Sequence, residues 1–62
     1  SSSFICFNKA LRILGEIEAA KKWLQTPNPA LGGSVPDILI ENKEGFKTVM
    51  DLLGRIESGV YS

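Results

Sequence analysis

The chain has 62 residues, 44% of them hydrophobic, and seven Lys and Arg balance seven Asp and Glu to a formal net charge of zero. So short a chain reads as one small domain burying only about 60% of the surface its unfolded form exposes, and with no net charge it has no overall field to draw it onto nucleic acid or anionic membrane. A single cysteine, Cys6, and the lack of any histidine exclude an internal disulfide and a thiol-imidazole zinc framework.

Phe4, Phe7, Leu11 and Leu14 recur at three- and four-residue steps, Ala10 and Ile13 widen the stripe, and Asn8, Lys9 and Arg12 lie opposite. This spacing predicts an amphipathic first helix. Gly15 then interrupts, either breaking the segment or bending it. Glu16 and Glu18 place negative charge where the positive N-terminal end of a second helix favours it. Ile17, Ala20, Trp23 and Leu24 carry the helical spacing onward, while Lys21 and Lys22 face out near its C-terminal end.

Residues 24–33, Leu-Gln-Thr-Pro-Asn-Pro-Ala-Leu-Gly-Gly, cannot continue that helix. Pro27 and Pro29 remove backbone donors, and Gly32 and Gly33 favour dihedrals that other residues avoid. The stretch reads as a fixed corner, with Trp23 largely buried beneath it. Beyond it, Ser34 reads as a cap accepting from the backbone of Asp37, with Pro36 in the first turn of a short third helix over 35–40. Asn42 is the next cap, and Phe46, Val49, Met50, Leu53, Ile56 and Val60 trace one face of a longer helix that ends near Ser58, with Gly59 as a left-handed terminator. Gly54 inside that helix costs about 1 kcal/mol relative to Ala, which points to close backbone approach by another helix or chain. The expected fold is all-α: a bundle of about four helices with a Pro/Gly-rich corner between the second and third.

Nothing in the chain assembles into a reactive constellation. The carboxylate pairs Glu16/Glu18 and Asp51/Glu57 read as solvated helix faces, because acid-base work needs shifted pKa values in a cleft. Cys6 without a histidine reads as a small buried apolar residue. Gly32-Gly33-Ser34 lacks the lysine and the longer glycine spacing of a phosphate loop, and reads as a turn plus cap. The chain is therefore expected to be no enzyme and to take no metal or cofactor. No apolar run approaches the roughly 20 residues of a membrane span, and Ser1-Ser2-Ser3 lacks the basic end and apolar core of a signal peptide, so the cytoplasm is the expected compartment. The high apolar fraction in so few residues predicts association with a second copy or a partner.

From Ala19 onward the residues form a dense, ordered pattern. It comprises Ala20, Trp23-Leu24, Pro27-Asn28 with Leu31-Gly32-Gly33, Pro36 with Leu39, Gly45 and Val49, and Leu52-Leu53-Gly54-Arg55-Ile56 with Gly59. This pattern resembles the toxin-binding domain of the Xre/MbcA/ParS-like antitoxins of bacterial toxin-antitoxin pairs, with residues 4–15 matching only as a generic preceding helix. The resemblance implies that residues 1–62 are one toxin-binding domain, of a kind that usually follows a DNA-binding helix-turn-helix region not present in this chain. It implies as partner a toxin carrying the RES domain, an enzyme that consumes NAD. Neutralisation would then be by occlusion, with the antitoxin's C-terminal region at the toxin's active-site entrance. The matching positions here are Arg55, Glu57, Gly59, Val60, Tyr61 and Ser62.

Read from the residues alone, Val60 and Tyr61 follow a helix terminator, and Tyr61 either anchors in a partner's pocket or folds back onto the bundle. Arg55 either offers a planar fork to a carboxylate or phosphate, or pairs with Asp51 one turn back. The alternative function is a dimerisation or effector module of a helix-turn-helix transcription regulator, which predicts a homo-oligomer with no affinity for a toxin.

Overall fold

A computed structural model of the chain describes residues 2–59. Helix α1 runs over Ser2–Leu14, α2 over Ile17–Gln25, a one-turn 3-10 helix over Pro29–Leu31, α3 over Pro36–Leu39 and α4 over Lys43–Ser58. Among the described residues the only sheet-like pairing is an isolated antiparallel bridge between Asn28 and Ser34, so the all-α class holds.

Gly15 breaks the first segment. It takes φ 85°, a left-handed angle that suits glycine, and its N–H donates to the Leu11 carbonyl at 2.8 Å to close α1. Glu16 is extended, and α2 starts behind it with no side-chain cap, with Glu18 in its first turn and Lys22 in its last matching the helix dipole.

The corner is built on Asn28. Its side-chain oxygen accepts from the Ala30 N–H at 2.9 Å, its carbonyl accepts from the N–H groups of Leu31 and Gly33, both at 2.9 Å, and its own N–H donates to the Ser34 carbonyl at 3.0 Å. Gly32 at φ 70° and Gly33 at φ 86° make the reversal that brings the chain back to that bridge. Ser34 is thereby held two residues before the helix, and this corrects its expected role. The residue at the start of α3 is Val35, which has no side-chain cap, followed by Pro36 in the first turn. Asn42 does cap α4, accepting from the Gly45 N–H at 2.7 Å, and Gly59 terminates it at φ 81°.

α1 packs against both α2 and α4, and α3 bridges α2 to α4 on another side. The core comprises Cys6, Ala10, Ala20, Leu24, Ile40, Val49 and Leu53. Because α1 faces two helices at once, the line it presents to both is made of small residues, Cys6 and Ala10, and its larger apolar residues flank that line. The expected inward stripe holds fully at Ala10 and in part at Ile13, and fails at its first residue. Phe7, Leu11 and Leu14 are partly buried, while Phe4 is 63% exposed and Ile17, at the start of α2, is 54% exposed. Trp23 packs against the core but is only partly buried, less than its position under the corner suggested. No other helix of this chain approaches Gly54: among the described residues a Cβ there would meet nothing within 4 Å. The close approach occurs at Gly45, which is buried against the end of α3. No helix among the described residues is long and apolar enough to cross a membrane.

Candidate partner-binding site

The last turn of α4 carries the polar groups that the sequence pattern singles out, and the fold separates them. Arg55 is exposed, with its Nη2 3.9 Å from Asp51 Oδ2 one turn back. It lines a shallow hollow with Thr48, Asp51 and Leu52 of α4 and with Ala30 and Leu31 of the corner. The corner and the arginine, read separately in the sequence, thus share one surface. Leu52 is buried at the floor of that contact. An exposed pair such as Asp51–Arg55 contributes about 0.3–0.5 kcal/mol, so the guanidinium can leave Asp51 for another carboxylate at small cost.

Glu57 lies two residues on and therefore on a different flank of the helix. Its Oε2 is 3.5 Å from Arg12 Nη2 and its Oε1 is 4.0 Å from Lys9 Nζ, both on α1. Sequence reasoning placed Lys9 and Arg12 on the polar side of α1 but could not supply their partner, which lies more than 40 residues away. Gly59 is exposed at the helix end, while Val60, Tyr61 and Ser62 lie outside the described residues, so neither reading of Tyr61 is decided.

Of the corner residues, Leu24 is buried, Trp23, Asn28 and Leu31 are partly buried, and Pro27, Gly32 and Gly33 are exposed. Cys6 sits in the core with its thiol 3.6 Å from Met50 Sδ. Burial pushes its pKa up, and the Asp37 carboxylate adds to the effect, so at neutral pH it is a protonated, enclosed thiol. Among the described residues no group of three or more His, Cys, Asp or Glu is placed to hold a metal.

The exposed Arg55 guanidinium thus stands at a helix end, beside a hollow lined in part by a corner that its own hydrogen bonds pin. The fold places the chain in the class of small all-helical domains. Within that class, the chain belongs to the family of antitoxin Xre/MbcA/ParS C-terminal toxin-binding domains, whose profile matches residues 9–59. The match begins inside α1, so residues 9–14 of that helix belong to the family's pattern while residues 2–8 lie outside it.

Over 48 residues the chain is 44% identical to the antitoxin Xre of Yersinia enterocolitica serotype O:8 / biotype 1B, covering 77% of this chain and 32% of that protein. It is 35% identical over 48 residues to the antitoxin Xre of Photorhabdus laumondii subsp. laumondii, with the same coverage of 77% and 32%. The chain thus spans about a third of the length of these curated relatives. No solved structure matches it significantly.

Proposed function

We propose that this chain is the toxin-binding part of an antitoxin, and that it neutralises a RES-domain, NAD-consuming toxin by laying residues 55–62 over the entrance to the toxin's active site. The observation that carries the reading is family membership across residues 9–59, which include the exposed end of α4. Gly59 ends the helix in a left-handed turn, at the exposed end of α4 next to Arg55. Arg55 and Tyr61, if desolvated at the centre of an interface, contribute about 2 kcal/mol each, together roughly a thousandfold in affinity. The protein acts by binding, with no turnover of its own, in the cytoplasm where its NAD-consuming partner works. The exposed Ile5, Ile17 and Ile38 favour self-association as well.

The test is to delete residues 59–62, and separately to make Arg55→Ala, then measure toxin binding and NAD consumption after circular dichroism confirms the helices. Both variants are expected to lose affinity and release NAD consumption. If both stay folded and silence the toxin at wild-type concentrations, occlusion by this segment is wrong.

A further inference from the structure

We infer that Glu57, although it lies within residues 55–62, does not touch the toxin: clamped between Lys9 and Arg12 of α1, it holds the last turn of α4 closed, and all three are positioning residues for Arg55. This rests on the proposed function for its consequence and on the geometry alone for its mechanism. Leu53 is the last fully buried residue of α4. In the turn after it, Ile56 is partly buried while Arg55, Glu57 and Ser58 are exposed, so apolar packing holds this turn weakly. Ionic contacts extend the α1–α4 contact by that turn, with Oε2 of Glu57 3.5 Å from Arg12 Nη2 and Oε1 4.0 Å from Lys9 Nζ.

Three features make this a clamp rather than a chance surface pairing. Lys9 and Arg12 are three residues apart and so share a face of α1. The Lys9 side chain is only 23% exposed, which shows its stem laid along the bundle with the ammonium at the edge. Below it the Cys6, Ala10, Val49 and Leu53 cluster fixes α1 against α4, so both cations are placed in advance. A carboxylate in the last turn of a helix also stands at the unfavourable end of the helix dipole, and cations brought from a neighbouring helix offset both that carboxylate and the exposed terminal carbonyls. Each exposed pair is weak, so global stability depends on them little. A terminal turn opens at almost no cost, however, and there a weak pair decides how much of the time the turn is closed.

The experiment uses the intact antitoxin with three proteins: wild type, Glu57→Lys, and the swap of Glu57→Lys with Lys9→Glu and Arg12→Glu. Amide hydrogen exchange over residues 55–59 is measured without toxin, and affinity is measured for a RES-domain toxin. Glu57→Lys is expected to speed exchange in that turn about fivefold, the equivalent of about 1 kcal/mol, with the melting temperature nearly unchanged, and to weaken toxin binding about tenfold. The swap is expected to restore both, because the opposed charges are re-formed. Exchange that does not change in Glu57→Lys overturns the clamp whether or not a toxin binds. Restored exchange without restored affinity shows that Glu57 contacts the toxin directly, and overturns the inference too. A wild-type protein that ignores the toxin defeats the proposed function instead, and the exchange measurement still decides the clamp.

Discussion

The carbonyl group of Leu39 lies where a Cβ on Gly45 would have to sit, with its carbon 2.6 Å from that position. The end of α3 and the first turn of α4 therefore meet backbone to backbone, and the Asn42 side chain closes the joint by accepting from the Gly45 N–H. Gly45→Ala is expected to destabilise the domain by about 2 kcal/mol or more, since backbone must move to admit the methyl group. Gly54→Ala, with open space around the added atom, is expected to stabilise by about 0.5–1 kcal/mol through its helix propensity. Urea unfolding of the two variants should give shifts of opposite sign, and a destabilised Gly54→Ala would revive a close contact at that position.

The caps separate in the same way. Asn42→Ala removes a bond of 2.7 Å at the start of the longest helix among the described residues and should cost about 1 kcal/mol. Ser34→Ala should cost almost nothing, because the contributions of Ser34 run through its backbone to Asn28 and Leu31. Equal losses in thermal melts would reinstate Ser34 as the cap of α3.

Trp23 is partly buried and Leu53 fully so. Leu53→Ala is expected to cost about 2–5 kcal/mol, whereas Trp23→Ala should fall below the about 3–5 kcal/mol of an enclosed aromatic. Acrylamide quenching of the native protein's tryptophan fluorescence checks the cause: quenching intermediate between free indole and a sealed core is expected, and complete shielding contradicts it.

Cys6 should react with a thiol reagent only as fast as the chain opens. Its folded pKa is raised, by burial first and by Asp37 second, so the protonated form belongs to the folded state. Below the ordinary thiol range both states are protonated and the contribution is fully present. As pH rises through that range the unfolded thiol ionises first, and stability is lost with rising pH. Urea midpoints should fall as pH rises above about 8, more in the wild type than in Cys6→Ala. Labelling that is fast in the native state would show the thiol to be open.

What the sequence determined alone is the succession of helices and the family. Gly15, Asn42 and Gly59 act on dihedrals and hydrogen bonds within a few residues of themselves, so they mark α1 and α4 wherever the rest of the chain goes. The corner was legible for the same reason, although Asn28 as its hub was not, because its bond to Ser34 crosses the whole loop. The tertiary structure decided how deeply each residue of the α1 stripe is buried, because a helix lying between two neighbours presents its small residues, Cys6 and Ala10, to both and leaves Phe4 exposed. It also placed the crowded glycine at Gly45 and not Gly54, and it turned Arg55 towards the corner and Glu57 towards α1. Each of these depends on atoms far away along the chain, and contacts of that kind exist only once the helices have met.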